Sequence, residues 1–257
     1  MNPTSESPTV PSVRATEDQA AEVFSVVSSE RVFDGKVASL RIDEVVMPGG
    51  GTAKREVVEH GGAVAIVALD SAGPIDQAAG FEVVDSQESA DMVILIEQYR
   101  HPLGRRLWEL PAGLMDVEGE SGQLAAAREL EEETGYAAEH WSVLLDVATS
   151  PGFTEETVRI FLATGLTEVG RPASEHEEAD LRVVRVPLTV AVESVLAGRI
   201  VNVMAVAGIL AADAVLSGRA VVVDRDDDSQ YDRQRPWTVF AGSGTPDAPP
   251  LDGSAPR

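Results

Sequence analysis

Glutamates are concentrated in one short stretch of the chain. Residues 109–136 read "ELPAGLMDVEGESGQLAAARELEEETGY", and seven of these residues are glutamates. On a helix, which advances about 100° per residue, Glu129, Glu132 and Glu133 fall within an arc of about 100°. Like charges at this spacing repel, and a bound divalent cation would reverse the sign of that interaction. Carboxylate oxygens are the ligands that Mg²⁺ or Mn²⁺ selects, so this stretch predicts a metal-binding helix face.

A run of glutamates is most often a solvated helix face, so the metal interpretation depends on the neighbouring residues. From Glu120 onward the chain follows the pattern E-x7-R-E-(apolar)-x-E-E-x-G-(apolar), where x is any residue. The residues that supply it after Glu120 are Arg128, Glu129, Leu130, Glu132, Glu133, Gly135 and Tyr136. This pattern resembles the Nudix box, the signature of hydrolases that cleave a nucleoside diphosphate linked to another group.

Motifs outside this box narrow the resemblance. "EQYRHPLG" and "WELPAG" precede it, "SPGF" with Pro151 follows it, and "EHEEADL" comes later. Over about residues 25–215 the chain is similar to the ADP-ribose pyrophosphatase branch. The resemblance implies Mg²⁺-dependent hydrolysis of ADP-ribose to AMP and ribose 5-phosphate, with Mn²⁺ as a possible substitute. One departure is that six residues, where the family usually has five, separate Gly113 from Glu120; the extra residue falls in a loop, where insertions cost little.

The resemblance also implies a set of metal ligands. Glu129 and Glu133, one helical turn apart, would hold the metal, with Glu132 sharing or bridging. The backbone carbonyl of Ala112 is a further implied ligand. Glu120 is either an accessory ligand or a salt-bridge partner.

Two further roles in catalysis follow from the same resemblance. The general base is expected to be a carboxylate of the acidic loop "SEHEEAD", either Glu177 or Glu178, with Glu178 favoured. Without the box this loop would equally be a solvated segment, and His176 is interpreted as a surface histidine. Arg128 is expected to pair with a carboxylate of the cluster and fix its rotamer. The alternative for Arg128 is an ordinary surface ion pair.

The charge balance requires local cations in any phosphate-binding site. With 20 basic and 43 acidic side chains the net charge is −23, which repels nucleic acid backbones, anionic membranes and phosphorylated metabolites alike. Arg100 and Arg55 resemble positions that contact the pyrophosphate and adenine ends of the substrate. Glu109 is a candidate acceptor for a ribose hydroxyl, and Pro151 belongs to the same set of substrate-binding candidates. For the charged residues the alternative is a strand-end salt bridge.

The elements that must position these residues are indicated by apolar patterns. Short alternating runs broken by "FDGK" and "PGGG" predict antiparallel hairpins, and "DMVILIEQYR" predicts a strand buried on both faces. Residues 123–134 read as a helix with a stripe of Leu124, Ala127 and Leu130 and a left-handed cap at Gly135. Further strands are expected at "SVLLDVA", "TVRIFLAT" and "DLRVVRVP", and helices at 189–196 and 201–216. The predicted class is α+β, an α/β/α sandwich of the Nudix fold with a mixed sheet.

Four segments are expected along the chain. They are a disordered tail at 1–21, a β-rich dimerisation segment forming a small antiparallel subdomain at 22–60, a Nudix hydrolase domain at 61–217, and a largely flexible extension at 218–257. The resemblance implies a homodimer in which Arg55 serves the partner's adenine pocket. The sequence has no cysteine and no recognisable signal peptide, which favours the cytoplasm.

Two other functions remain open at this point. The first is a Nudix hydrolase that acts on another nucleoside diphosphate sugar or on an oxidised nucleotide. The second is a non-catalytic regulator that senses ADP-ribose, although the intact box and the acidic flanks make it less favoured. Neither nucleic acid nor membrane is an expected partner.

Overall fold

The computed structural model describes residues 24–70, 91–117, 119–172 and 180–222. Two compact units divide the chain, Met1–Val58 and Glu59–Arg257. The first contains a three-stranded sheet of order β1-β2-β3, in which β1 and β2 are antiparallel. Its strands are β1 (Val26–Asp34), β2 (Ser39–Val46) and β3 (Thr52–Glu59). The backbone N–H of Gly35 donates to the Ala38 carbonyl in the predicted "FDGK" turn.

The second unit is built on a seven-stranded sheet. Its order is β10-β5-β4-β9-β8, with β6 paired to β5 and β7 paired to β4. The pair β4 and β9 is parallel and the other pairs are antiparallel, so the sheet is mixed as predicted. The strands are β4 (Ala63–Asp70), β5 (Met92–Arg100), β6 (Arg105–Glu109), β7 (Ala112–Leu114), β8 (Tyr136–Ala148), β9 (Thr157–Glu168) and β10 (Arg182–Pro187).

Helices cover both faces of this sheet. They are α1 (Gly122–Thr134), α2 (Leu188–Leu196) and α3 (Val203–Leu216). Alternate side chains of β4 point to opposite faces: Ile66 belongs to the apolar cluster that contains Leu130 of α1, and Val67 to the cluster that contains Ile209 of α3. The predicted α/β/α sandwich is therefore confirmed. None of the helices in the described ranges is long and apolar enough to cross a membrane.

Helix α1 begins and ends where its capping residues are. The backbone N–H of Leu124 donates to the Ser121 hydroxyl at 3.3 Å, and Ser121 has the extended backbone of an N-cap residue. At the other end Gly135 has a φ of +77°, the left-handed cap that the sequence predicts. Its N–H donates to the Glu131 carbonyl, so the helix stops directly after the glutamates.

The predicted apolar stripe on α1 is wrong in part. Leu130 is fully buried, but Leu124 is 62% exposed. Three residues turn the helix by about 300°, which is about 60° short of a full turn. Residues spaced by three therefore move progressively around the helix, and the first of them no longer faces the sheet. The face that packs on the sheet is formed by Ala125, Ala126 and Leu130, with Glu133 buried at its end.

The outer segments lie mostly outside the described residues. The tail predicted at 1–21 is not covered, and the extension predicted at 218–257 is covered only as far as residue 222. The helices expected at 189–196 and 201–216 are both present, as α2 and α3.

Candidate active site

The end of α1 lies against the short strand β7, and Glu133 is the residue that joins them. The backbone N–H of Ala112 donates to Oε2 of Glu133 at 2.9 Å. Only 6% of Glu133 is exposed. A helix face that carries several glutamates is most often solvated, but Glu133 is buried because the last turn of α1 packs on β7.

Burial changes the acidity of Glu133. Loss of hydration is the main cause that raises its pKa to about 8, and the negative charges of Glu129 and Glu109 raise it further. The hydrogen bond from Ala112 and the positive charge of Arg100 act in the opposite direction. In the absence of a cation the folded chain thus favours a protonated Glu133 at neutral pH, and a bound cation would favour the charged form.

Glu129 occupies space that only a glycine leaves open. A Cβ atom built on Gly113 of β7 would lie 2.0 Å from Cδ and 2.1 Å from Oε1 of Glu129. Gly113 pairs with Val64 in the neighbouring strand β4, so β7 is held in place by the sheet. The absence of a side chain at Gly113 therefore lets the Glu129 carboxylate lie directly against the backbone of β7.

Arg128 organises the carboxylates around it. Its Nε and Nη2 atoms donate to the two oxygens of Glu120 at 3.2 and 3.0 Å. Its Nη1 atom donates to Glu129 at 2.6 Å and to Glu132 at 3.3 Å. The pKa of Arg128 is raised, chiefly by the hydrogen bond with Glu120. Arg128 is thus more than a surface ion pair with Glu132: it holds three carboxylates, and the longer loop before Glu120 does not prevent that contact.

Arg100 and Glu109 form a second charged pair. Arg100 Nε donates to Oε1 of Glu109 at 2.9 Å, and Nη2 donates to Oε2 at 2.6 Å. The Glu109 side chain is only 1% exposed, whereas that of Arg100 is 40% exposed. The hydrogen bond from Glu109 is the main reason that the pKa of Arg100 is raised. The structure therefore contains the strand-end salt bridge considered as the alternative, and substrate contacts by these residues remain predictions.

The donor set beside β7 fits a hard divalent cation. Among the residues that the structure describes, no three His, Asp or Glu side chains are grouped so that they could hold a metal ion by themselves. Glu129 and Glu133 nevertheless bring two carboxylates to the backbone of β7. Mg²⁺ commonly takes one or two carboxylates and completes its shell with water and substrate phosphates. The Ala112 carbonyl stays a predicted ligand; the observed contact is made by its N–H.

Four of the predicted site residues remain to be placed: Glu177, Glu178, Pro151 and Arg55. Glu177 and Glu178 fall outside the described residues. Pro151 is exposed in the turn that follows β8. Arg55 belongs to the N-terminal unit, where it donates to the Lys54 carbonyl at 2.9 Å and contacts Met47 Sδ at 3.6 Å.

One cluster of the second unit was not found by sequence reasoning. His60 Nδ1 lies 2.8 Å from the Gly61 carbonyl oxygen and 3.4 Å from Oε1 of Glu156. The Thr149 hydroxyl donates to Oε2 of Glu156 at 2.6 Å. His60 is far from the other two residues in sequence, and the local signal was the "SPGF" motif that lies between Thr149 and Glu156.

Comparisons with known proteins point to one family. Residues 74–201 match the model of the NUDIX domain. The ADP-ribose pyrophosphatase of Mycobacterium tuberculosis is 52% identical over 197 residues, which cover 77% of this chain and 86% of that protein. The ADP-ribose pyrophosphatase of Bacillus subtilis is 36% identical over 162 residues, covering 63% of this chain and 77% of that protein. A crystal structure of an ADP compounds hydrolase has the same fold, with a TM-score of 0.60 and 22% identity over 77% of this chain and 96% of its own.

Proposed function

The chain belongs to the NUDIX family, and we propose that it hydrolyses the pyrophosphate bond of ADP-ribose to AMP and ribose 5-phosphate. In this reaction water attacks one phosphorus atom, the bridging P–O bond breaks, and the second phosphate leaves. The barrier is high because the negative oxygens of the diphosphate repel the nucleophile. A catalyst must therefore neutralise charge and remove a proton from water.

The convergence of Glu129 and Glu133 on the backbone of β7 is the observation that carries this proposal. We propose that these two carboxylates hold Mg²⁺, for which Mn²⁺ can substitute, together with the Ala112 carbonyl. When bound, the cation supplies charge neutralisation at the diphosphate and activation of the attacking water. Arg128 keeps Glu129 in position by its hydrogen bond and also restrains Glu132, which we propose as a shared ligand.

Proton removal is assigned to the acidic loop. Glu178 is the proposed general base and Glu177 the alternative, since a carboxylate is suited to accept a proton from an activated water. Replacing each by glutamine separates them: the base is the residue whose loss lowers kcat more than it raises KM. Equal and small effects at both positions would refute the assignment.

ADP-ribose is proposed as substrate because relatives that align over most of their length are named ADP-ribose pyrophosphatases. Arg100, which is 40% exposed, is the cation proposed to meet the diphosphate. A cytoplasmic location belongs to the same proposal. The alternatives are another nucleoside diphosphate sugar, an oxidised nucleotide, and binding of ADP-ribose without cleavage.

A substrate panel tests this assignment. Initial rates with ADP-ribose, ADP-glucose and an oxidised nucleoside triphosphate are compared at equal Mg²⁺, with products separated by chromatography. The proposal predicts the highest kcat/KM for ADP-ribose and equal amounts of AMP and ribose 5-phosphate. A higher kcat/KM for another compound would identify that compound as the preferred substrate. Binding of ADP-ribose without any cleavage would favour the sensor.

We also propose that the protein is a homodimer assembled through residues 22–60, with Arg55 acting in the partner's site. This proposal is supported by strand β1, in which all nine residues are exposed. Its apolar side chains, among them Val26 and Phe33, are therefore accessible to solvent and could pack against a second subunit. Mixing an Arg55→Ala chain with a Glu133→Gln chain tests both claims. If Arg55 acts in the partner's site, one of the two sites in the heterodimer contains both Arg55 and Glu133, and activity returns. If Arg55 acts within its own chain, no activity returns.

A further inference from the structure

Glu156 is held by side chains from two other parts of the second unit. Thr149, which follows β8, donates its hydroxyl proton to Oε2 at 2.6 Å, and the Thr149 N–H also donates to the Glu156 carbonyl. His60, which precedes β4, places Nδ1 3.4 Å from Oε1 and 2.8 Å from the Gly61 oxygen. Both neighbours are acceptors, so Nδ1 is the ring nitrogen that can donate to them. The carboxylate therefore has a fixed orientation, yet 27% of its side chain remains exposed.

Strand directions place this cluster at the same end of the sheet as Arg100. The strands β4 and β9 are parallel with Ala63 opposite Val158, so His60 and Glu156 lie at the same edge of the sheet. Strand β5 is antiparallel to β4 and ends at that edge with Arg100. The negative charge of Glu156 contributes to the raised pKa of Arg100, in agreement with this placement. A carboxylate of fixed orientation thus lies at the same end of the sheet as the arginine that is proposed to meet the diphosphate.

The chemistry of a carboxylate limits what it can bind there. An ionised carboxylate only accepts hydrogen bonds. Diphosphate oxygens offer no proton, and their charge repels Glu156. The hydroxyl groups of a ribose are donors, and ADP-ribose carries a ribose on each side of the diphosphate. We propose, on the basis of the function proposed above, that Glu156 binds hydroxyl groups of a substrate ribose and that His60 and Thr149 position its carboxylate.

Glu156→Gln separates this role from a purely structural or electrostatic one. If Glu156 only adds negative charge near Arg100, the substitution removes repulsion and anionic ligands bind more tightly. If Glu156 accepts from a ribose, the substitution removes a charge-assisted hydrogen bond and ligands that carry this ribose bind about tenfold more weakly. The two roles therefore predict changes of opposite sign.

The experiment uses the two halves of the substrate and the bare diphosphate as inhibitors. Inhibition constants of ribose 5-phosphate, AMP and pyrophosphate are measured for the wild type and Glu156→Gln at saturating Mg²⁺. We expect about tenfold weaker inhibition by one of the two sugar phosphates, and unchanged or tighter inhibition by pyrophosphate. A loss confined to ribose 5-phosphate assigns Glu156 to the distal ribose, and a loss confined to AMP assigns it to the adenosine ribose. Unchanged or tighter inhibition by all three ligands would overturn the proposal.

Thr149 provides a second test if Glu156→Gln does not fold. Thr149→Val removes the hydroxyl donor and should weaken inhibition by the same sugar phosphate, whereas Thr149→Ser should restore it. Loss of inhibition in both Thr149 variants would contradict a role for the hydroxyl. Glu139→Gln, which alters a carboxylate 76% exposed on β8, is the matched control. A wild-type enzyme that does not cleave ADP-ribose refutes the proposed function, while an active enzyme indifferent to Glu156→Gln refutes only this inference.

Discussion

Replacing Glu133 by glutamine is expected to stabilise the metal-free protein while it removes activity. Glu133 is buried beside Glu129 and Glu109, and its pKa rises from an ordinary value of 4.5 to about 8. The folded state disfavours the charged form of Glu133, whereas the unfolded chain ionises it freely. Above pH 4.5 this ionisation stabilises the unfolded chain and lowers the free energy of unfolding. The stability contributed by protonated Glu133 is complete below pH 4.5 and is lost progressively between pH 4.5 and about 8.

The size of the effect follows from that interval. At about 1.36 kcal/mol per pH unit, the cost of Glu133 is below about 1 kcal/mol at pH 5 and on the order of 4 kcal/mol at pH 8. Glutamine has no charge, keeps an oxygen that can accept from the Ala112 N–H, and carries none of this pH-dependent cost. The gain in stability from Glu133→Gln should therefore be about 3 kcal/mol larger at pH 8 than at pH 5.

Urea unfolding in excess EDTA at both pH values measures this difference. Comparison of the variant with the wild type at each pH cancels the other titrating groups, and Glu131→Gln on the exposed side of α1 is the matched control. The control should change the free energy of unfolding by less than about 0.5 kcal/mol. If the effect of Glu133→Gln on the free energy of unfolding is the same at pH 5 and pH 8, burial does not raise the pKa of Glu133.

Three further changes test the remaining parts of the site. Gly113→Ala should displace the Glu129 carboxylate and raise the Mg²⁺ concentration for half-maximal activity about tenfold, measured against Gly49→Ala, whose new Cβ meets no atom within 4 Å. Arg128→Lys should lower activity about ten- to a hundredfold without unfolding, since lysine lacks the guanidinium fork; unchanged kinetics would contradict the positioning role. Glu178→Gln should lower kcat by a factor of about 10² to 10⁴ with a small change in KM, and a change in KM alone would point to a binding role.

The local features of the fold could be predicted from the sequence because each has a local cause. Ser121 and Gly135 mark the ends of α1 through their hydroxyl group and left-handed backbone. The uninterrupted apolar run in residues 92–96 predicts a strand buried on both faces, and these residues are all buried in β5. The three glutamates on one helical arc follow from helix geometry alone.

What the sequence did not predict depends on pairing between distant segments. Glu133 is buried because β7 pairs with β4 and so brings the Ala112 backbone to the end of α1. The contact between His60 and Glu156 arises from the parallel pairing of β4 and β9. The periodicity of one segment does not show which distant segment pairs with it. The burial of Glu133 and the cluster of His60, Thr149 and Glu156 could therefore not be predicted from the sequence.

The proposed function requires that carboxylates of α1 hold the cation used to cleave ADP-ribose. The most direct measurement is the rate of AMP and ribose 5-phosphate formation as a function of Mg²⁺ concentration for the wild type, Glu133→Gln and Glu131→Gln. Folding of each variant is checked by its urea transition. We expect the wild type and Glu131→Gln to hydrolyse ADP-ribose in a reaction that EDTA abolishes. We expect folded Glu133→Gln to lose at least about a hundredfold in rate at every Mg²⁺ concentration. Turnover of Glu133→Gln equal to that of the wild type at saturating Mg²⁺ would contradict it.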